Sequence, residues 1–221
     1  MKKNQRVLRE ILYRTYERGE RFMSQKTLAQ VCGISLGSVN PVINKLAQIG
    51  AVETKPMGLR VINPKRILLY WASTRDLPRD ITYGINSHMS LKEIEASMPK
   101  GAVLTAYSGY RTRFGSVPAE YEAVYVYADP AAVKRKFPPG KGRKKNLFVL
   151  TPDPHLSRLS KEGIAPLAQI YVDLWQLGVP ANRFVEELDG QLEPAAMGAL
   201  QTMIEKTREQ PSAKRRSSSS E

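Results

Sequence analysis

SQKTLAQVCGISLGSVNPVINKLAQIGAVETKPMGLRVI, residues 24–62, is the stretch of this chain that decides its fold. Ser24 is a favourable N-cap for a first helix, and Gly33 follows the last apolar position of that helix, where helices end most easily. A second helix carries apolar residues at a spacing of about 3.6 and ends at Gly50. Two short strands around a tight turn complete the segment. This order predicts a winged helix-turn-helix, whose second helix enters the major groove of DNA.

Pro41 constrains where the second helix begins. A proline in a helix interior costs about 3 kcal/mol, whereas the first four amides of a helix need no partner. The helix is therefore predicted to start at about Gly37 or Ser38. The wing strands are predicted over 51–55 and 59–62, joined by a turn at Pro56-Met57-Gly58.

Polar side chains on the outer face of the second helix can donate to or accept from base edges and phosphates. The wing is expected to reach phosphates or the minor groove, and the start of the preceding helix is expected to meet the DNA backbone. The predicted DNA-binding residues are Asn40, Asn44, Lys45 and Gln48 in the major groove, Ser38 near a phosphate, Lys55 and Arg60 on the wing, and Lys26 and Thr27 on the preceding helix.

Positive charge is concentrated in the first two thirds of the chain, whose formal net charge is +13. Residues 1–64 hold eleven Lys and Arg against four Glu, residues 65–160 hold sixteen against eight acidic residues, and residues 161–221 hold seven against nine. A basic surface attracts phosphate through counterion release, an effect that falls steeply with salt. Charge therefore supports a nucleic-acid partner, although RNA or an acidic protein would be attracted equally.

An N-terminal helix, from residue 2 to about residue 18, precedes this segment. It is predicted to bury an apolar stripe of Val7, Leu8, Ile11 and Leu12. Its basic side chains are predicted to stay available to solvent: Lys2, Lys3, Arg6, Arg9 and Arg14. For each of them, a solvated position is at least as good an interpretation as a contact with phosphate.

The length of 221 residues suits two small domains, each large enough to form a core. We predict a winged helix-turn-helix domain at 1–64, a linker helix at 65–79, a mixed α/β domain at 80–209 and a disordered basic, Ser-rich tail at 210–221. Trp71 of the linker helix is interpreted as a packing anchor between the domains. The fold class is therefore α+β, with an N-terminal winged helix-turn-helix and a C-terminal mixed α/β domain with a small sheet and packed helices.

Strand and helix patterns alternate in the second domain. Ser90 and Glu93 form a predicted capping box that opens a helix over 91–97. The strand over 121–127 is expected in the centre of the sheet. The other strands are predicted over 80–86, 102–105 and 146–151, and the other helices over 131–137, 165–177, 182–192 and 194–209.

Patterns for catalysis or metal binding are weak. The histidines His88 and His155 and the single cysteine, Cys32, are too few for a Cys/His zinc site, and Cys32 fits a small core residue better than a reactive thiol. Neither a Gly-rich phosphate loop nor a pair of carboxylates spaced for magnesium is present. The nearest nuclease-like side chains are interpreted as strand-end charges: Glu120, Glu122, Asp129, Asp153 and Lys145. We therefore predict a protein that is not an enzyme and needs no cofactor or metal.

Two further predictions concern the location of the protein in the cell and a basic loop on its surface. No apolar run approaches the roughly 18 residues of a membrane span, and the N-terminus lacks the apolar core of a signal peptide, so a cytoplasmic protein with no membrane partner is predicted. The segment PPGKGRKK, residues 138–145, is predicted to be a mobile basic loop. Solvation and contact with nucleic acid are equally good interpretations of that loop.

The order of several motifs resembles a known family. After the basic winged helix come LLYWAS (68–73), VLTAYSGY (103–110), VYVYAD (124–129), NLFVLTPD (146–153) and IAPLAQIYVDLWQLGVPANRFVEEL (164–188). Over residues 5–195 the chain is similar to the abortive-infection AbiEi-type family of antitoxins and transcriptional regulators. The most specific part of the resemblance lies on the last segment, at Gln169, Tyr171, Asp173-Leu174, Gly178 and Glu186-Glu187. One departure is VPANR at 179–183, where family members often carry an Arg-Gly-Arg-like segment.

The resemblance implies a repressor that binds inverted repeats in its own promoter through the winged helix. It also implies a C-terminal domain that antagonises a cognate toxin of nucleotidyltransferase type. The residues alone support only binding of double-stranded DNA, by a monomer or a homodimer. The alternatives are a nucleic-acid-processing enzyme and a winged-helix adaptor that docks proteins.

Overall fold

The computed structural model describes residues 3–142 and 144–192. It is a mixed α+β fold with two small sheets. The first six elements run helix, strand, helix, helix, strand, strand, with the bounds α1 Lys3–Arg18, β1 Phe22–Met23, α2 Gln25–Cys32, α3 Leu36–Gln48, β2 Val52–Lys55 and β3 Gly58–Val61. These three strands form an antiparallel sheet in the order β1-β3-β2. The two strands predicted after the second helix are therefore present, and β1 is an additional strand that pairs with β3.

The turn between α2 and α3 forms where the sequence predicts it. The Ser24 side chain caps α2 by accepting a hydrogen bond from the amide of Thr27 at 3.0 Å. Gly33 ends α2 in the left-handed conformation, with φ +62°, which glycine adopts without a steric penalty. Ser35 then takes the N-cap position of α3. Only residues 33–35 separate the two helices.

α3 begins earlier than predicted. Its first residue is Leu36 rather than Gly37 or Ser38, so Pro41 lies inside the helix. Proline has no amide hydrogen to donate to the carbonyl of Gly37, one turn earlier. Because both Gly37 and Pro41 are exposed, water can solvate that carbonyl. The helix itself is confirmed, and its predicted start was wrong by one or two residues because proline was excluded from the second turn.

The remaining elements alternate helices with the strands of a second sheet. Their bounds are α4 Pro64–Thr74, α5 Leu77–Asp80, β4 Ile81–Ile85, α6 Leu91–Ala96, β5 Val103–Thr105, α7 Ala106–Phe114, β6 Val124–Tyr127, α8 Pro130–Lys136, β7 Leu147–Leu150, α9 Pro154–Leu159 and α10 Leu167–Trp175. Residues 181–192 are also helical. The predicted helix over 194–209 and the predicted tail over 210–221 lie outside the described residues.

The second sheet has the order β4-β7-β6-β5. β6 and β7 are parallel, and each outer strand is antiparallel to its neighbour. The prediction that β6 is a central strand is confirmed. The capping box between Ser90 and Glu93 at the start of α6 is also confirmed. The linker helix predicted over 65–79 is interrupted after Thr74 and is continued by the separate short helix α5, whereas α9 was not predicted. α5 and α9 each open with an aspartate N-cap and a proline in the first turn.

One continuous cluster of buried apolar side chains connects the N-terminal elements with α4, α7 and α10. Trp71 of α4 is fully buried within it, as expected of a packing anchor. A second cluster covers the other face of the four-stranded sheet, where α6 and α8 pack. Side chains of β6 alternate between the two clusters, as the period of a strand requires. None of the helices in the described part of the chain combines the length and apolar character needed to cross a bilayer.

Candidate nucleic-acid interface

α3 has one buried face and one exposed face. Val39, Ile43 and Leu46 are fully buried beneath it. Burying such a side chain contributes about 1.5–3 kcal/mol, so packing fixes which face of α3 is turned inward. The side chains predicted to contact bases lie on the exposed face: Asn40, Asn44, Lys45 and Gln48. Their amide and ammonium groups are therefore presented to solvent.

Gly58 fixes the position of the turn between β2 and β3. Its φ is +158°, and a Cβ there would lie 2.4 Å from the carbonyl oxygen of Met23 and 3.1 Å from the Cα of Ser24. Only glycine lets β3 begin this close to the end of β1. The close approach holds the turn residues Pro56 and Met57 beside the start of α2.

A groove of about 470 Å³ lies where the start of α2, the outer face of α3 and the β2–β3 turn meet. We call it the α3 groove. Four predicted DNA-binding residues line it: Lys26 of α2, Asn40 and Asn44 of α3, and Lys55 of β2. Three separate segments therefore contribute amide and ammonium groups to one surface. Such groups can hydrogen-bond base edges and attract phosphates.

The other predicted residues of α3 do not line the groove. Lys45 and Gln48 lie farther along the helix, and the Lys45 ammonium donates to the side-chain carbonyl of Gln48 at 3.2 Å. Ser38 is half-buried, and its hydroxyl lies 2.9 Å from that of Ser35, the N-cap residue. Lys45 and Gln48 therefore lie beyond the groove along the axis of α3, and Ser38 lies within its span without lining it.

The remaining predicted residues make local contacts. The hydroxyl of Thr27 lies 2.8 Å from that of Ser24, at the cap of α2. Arg60 is half-buried on β3 and does not line the groove. Lys55 pairs with Glu53 at 2.5 Å on the surface. Exposed pairs of this kind contribute little to stability, so Lys55 can exchange Glu53 for a phosphate at small cost.

Two exposed apolar residues line the groove and were missed by the prediction. Leu36 is 48% exposed and Met57 is 82% exposed. Leu36 was missed because the predicted helix started after it, although it lies four residues before Asn40 and hence on the same helix face. Met57 occupies the tip of a turn, where no periodic pattern applies. The groove is therefore partly apolar.

α1 is not the solvated basic helix that the sequence predicts. Arg9 is completely buried. Arg14 pairs with Glu10 at 2.7 Å and with Glu20 at 2.9 Å. The prediction was wrong because α9 and α10, distant in sequence, pack against α1 and cover Arg9. Lys2 lies outside the described residues.

Arg9 lies at the centre of a buried polar group that we call the Arg9 cluster: Arg9, Glu10, Asp153, His155 and Gln169. Its guanidinium donates to both carboxylate oxygens of Asp153 at 3.1 Å, to His155 Nδ1 at 3.1 Å and to Gln169 Oε1 at 2.9 Å. Burial raises the pKa of Asp153, but the charge and hydrogen bonds of Arg9 outweigh burial and the pKa is lowered. Asp153 is therefore an ionised partner for a buried cation.

The hydrogen bonds around His155 define its tautomer. Arginine can only donate, so Nδ1 is the acceptor and the proton lies on Nε2. Nε2 donates to Glu10 Oε2 at 2.9 Å. Burial lowers the pKa of His155, so the neutral ring is favoured. Burial raises the pKa of Glu10, whereas hydrogen bonds from His155 and Arg14 lower it, and the resulting pKa lies below the ordinary value.

Acidification is expected to destabilise the protein through His155. The unfolded chain binds a proton at the ordinary histidine pKa of 6.5, whereas burial delays protonation of the folded protein to a lower pH. The stability that the neutral His155 contributes is therefore fully present above pH 6.5, and it is lost as the pH falls from 6.5 through the pKa of His155 in the folded protein. The slope is at most about 1.4 kcal/mol per pH unit for one proton. We expect His155→Gln to flatten this dependence, measured by urea unfolding across a pH series.

The exposed residue His88 provides the matched control, His88→Gln, which should keep the wild-type dependence. Glu10 and Asp153 add a further loss of stability only below their ordinary pKa values of 4.5 and 3.8, so their contribution is separate in pH. An identical slope in the wild type and His155→Gln would contradict the role given to His155.

Gln169 also belongs to a second buried group, the Asp173 cluster: Arg75, Thr105, Tyr127, Gln169 and Asp173. Asp173 accepts hydrogen bonds from Arg75 Nε at 2.9 Å, from the Thr105 hydroxyl at 2.8 Å and from the Tyr127 hydroxyl at 2.8 Å. Burial and the charge of Asp173 raise the pKa of Tyr127, which is therefore a neutral donor. The two clusters tie α1 to β6, α10 and the end of α4. Gln169 and Asp173, on which the family resemblance partly rests, thus have structural roles.

Three of the four carboxylates considered for catalysis have structural partners. Asp129 and Asp153 cap the N-termini of α8 and α9. Glu122 pairs with Lys144 on the surface. Within the described residues, no three or more His, Cys, Asp or Glu side chains are grouped so that they could hold a metal ion. Cys32 is buried, and burial raises the pKa of its thiol to about 12, which agrees with the core role predicted for it.

A second basic surface follows α8. The described loop packs against the end of β4, because the Asn86 side-chain amide donates to the carbonyl of Lys144 at 2.6 Å and the amide of Gly140 donates to the carbonyl of Asn86 at 2.7 Å. A Cβ at Gly142 would lie only 2.7 Å from Asn86 Oδ1. The exposed cations of this surface are Lys134, Arg135, Lys136, Lys141, Lys144 and Lys145.

Comparisons of the chain with protein families, with characterised proteins and with solved structures gave no significant match.

Proposed function

We propose that this protein is a DNA-binding transcriptional regulator in which α2, α3 and the β2–β3 hairpin act as a winged helix-turn-helix. In this arrangement α3 enters the major groove of double-stranded DNA and the hairpin is the wing. The observation that carries the proposal is the convergence of Lys26, Asn40, Asn44 and Lys55 on the α3 groove. The net charge of +13 supports a polyanionic partner.

Each groove residue has a role that suits its chemistry. Asn40 and Asn44 hydrogen-bond base edges, because their side-chain amides each offer a donor and an acceptor. Lys26 and Lys55 neutralise phosphates on either side of the recognition helix. Lys45 and Gln48 extend the contact with DNA along α3. Ser38, Thr27 and Arg60 contact the DNA backbone at the edges of this surface.

The motif resemblance supports a more specific proposal. The regulator is a cytoplasmic antitoxin-type repressor that binds promoter repeats as a monomer or a homodimer, and its C-terminal half antagonises a nucleotidyltransferase-type toxin. A toxin of that class in the neighbouring reading frame would support this role. A neighbouring frame without one would favour a regulator that acts alone.

The proposal is tested with the purified full-length protein by selection of duplexes from a random pool, followed by binding titrations over a range of salt concentrations. We expect Asn44→Ala to weaken binding to the selected site by about 1–3 kcal/mol, because it removes a base contact. We expect Lys55→Ala to weaken binding to all sequences alike and to reduce the salt slope by about 1, because it removes a phosphate contact.

Asn182→Ala and Lys92→Ala are the matched controls, because both residues are exposed and neither lines the groove. Both controls should bind DNA like the wild type. A wild-type protein with no duplex affinity at physiological salt would overturn the proposal in favour of a protein-docking adaptor. Metal-dependent turnover of nucleic acid that is lost on changing Asp129 or Glu122 would favour an enzyme.

A further inference from the structure

The side chains that line the α3 groove have a restricted chemistry. Three carboxamides line it, Asn40 and Asn44 on α3 and the half-buried Gln25 on α2. Its exposed apolar residues are Leu36 and Met57. The charged side chains that line the groove are lysines, and among its described lining residues there is no Arg, Asp or Glu. Lys26 and Lys55 lie on α2 and β2, beside α3, where the proposed function assigns them to phosphates. The side chains of α3 that line the groove, Leu36, Asn40 and Asn44, include neither a cation nor a carboxylate.

Each base pair presents a different pattern in the major groove. Adenine offers the N7 acceptor and the N6 donor, which one carboxamide can engage through two hydrogen bonds, and thymine offers a C5-methyl group that takes apolar contacts. Guanine is most often read by an arginine or lysine, and cytosine by a carboxylate. Carboxamides beside apolar side chains therefore match A·T pairs on both strands.

The positions of these residues on α3 fit the same chemistry. Leu36, Asn40 and Asn44 follow each other at intervals of four residues, so they lie on one face of the helix. The row begins at the first residue of α3, and recognition helices contact base edges mainly through their N-terminal residues. Gly37 is exposed beside them, where a Cβ would meet only the Ser35 hydroxyl oxygen at 3.9 Å. The missing side chain leaves room for bases close to the backbone.

We infer that the α3 groove reads A·T base pairs in the major groove. Asn40 and Asn44 engage adenines, and Leu36 contacts the methyl group of a thymine. Lys26 and Lys55 supply sequence-independent attraction to phosphates. The inference rests on the proposed DNA-binding function and names the kind of base pair that this function recognises.

The test uses the full-length protein and the best duplex from the random selection, with affinities measured by fluorescence anisotropy at one fixed salt concentration. We expect the selected core to contain A·T pairs whose replacement by G·C lowers affinity by about 5- to 150-fold at each contacted position. We also expect replacement of one thymine by uracil to lower affinity about fourfold, the effect of removing one buried methyl group.

The variant Leu36→Ala identifies the side chain responsible for the thymine contact. It should bind the thymine and uracil duplexes equally, because the apolar partner of the methyl group is gone. Thermal unfolding should match that of the wild type, since Leu36 is 48% exposed. Ile62→Ala is the matched control, because Ile62 is equally exposed and does not line the groove, and it should keep the wild-type difference between the two duplexes.

Two failures are distinguishable. Salt-dependent binding to a selected site that contains only G·C pairs, or binding that no uracil replacement changes, would overturn the A·T inference and leave the DNA-binding function in place. Absence of any duplex binding by the wild-type protein would overturn the proposed function itself.

Discussion

Arg9→Ala is expected to lower the free energy of unfolding by about 3–5 kcal/mol, the loss typical of removing one partner from a buried ion pair. Arg9 is completely buried and donates to Asp153, His155 and Gln169. Without the Arg9 guanidinium, the carboxylate of Asp153 loses its hydrogen-bonded cation and keeps only Arg6, whose Nε lies 3.6 Å from Oδ1, in a site with little access to water. The loss is measured by urea unfolding followed by circular dichroism near neutral pH.

A double-mutant cycle distinguishes the free energy contributed by the ion pair between Arg9 and Asp153 from the free energy contributed by packing of the Arg9 side chain. Asp153→Asn removes the charge but keeps an oxygen that can accept the capping hydrogen bond from the amide of Leu156. The double variant should lose less free energy of unfolding than the sum of the losses of the two single variants, because each single variant already breaks the ion pair between Arg9 and Asp153. Arg18→Ala is the surface control, since Arg18 is 51% exposed. An Arg9→Ala loss as small as that of Arg18→Ala would contradict the role of the Arg9 cluster.

Gly58→Ala is the second substitution with a large expected effect. A non-glycine residue at a sterically unfavourable φ costs about 1–3 kcal/mol. Crowding against well-packed neighbours adds about 1–3 kcal/mol, because the atoms nearest to the new Cβ belong to the backbone of Met23 and Ser24 and cannot rotate away. The displaced β2–β3 turn should also weaken binding to DNA, measured on the same selected duplex.

Gly19→Ala separates backbone strain from steric crowding. Gly19 also has a positive φ, +68°, but a Cβ there would meet nothing within 4 Å. We expect Gly19→Ala to cost less than Gly58→Ala and to leave DNA affinity unchanged. Equal losses of stability in the two variants would mean that the close approach of β3 to β1 does not position the turn.

Local signals in the sequence were sufficient for most of the fold. Caps and apolar spacing predicted α2, α3 and the strands that follow, and the capping box at Ser90 predicted α6. The burial of Arg9 could not be predicted in this way. The apolar stripe of α1 indicates one buried face, whereas the contacts with Asp153 and Gln169 depend on segments that follow Arg9 by 144 and 160 residues.

The candidate site was predictable where side-chain type and helical spacing agree. Asn40 and Asn44 follow from the exposed face of α3, and Lys26 and Lys55 follow from the segments beside it. Leu36 was not predicted, because Pro41 was treated as a first-turn residue and the predicted helix therefore began after Leu36. Met57 needed the three-dimensional path of the turn, since only the position of Gly58 brings its side chain to the groove.

The packing of α1 has a practical consequence for protein engineering. α1 contacts α2 and α3 as well as α4, α9 and α10, and Arg9 finds its partners on the last two. A chimera that grafts residues 3–62 onto a foreign effector would carry Arg9 without its counter-ion and would expose apolar surface to water. A transplantable unit therefore has to include α4, α9 and α10 along with residues 3–62.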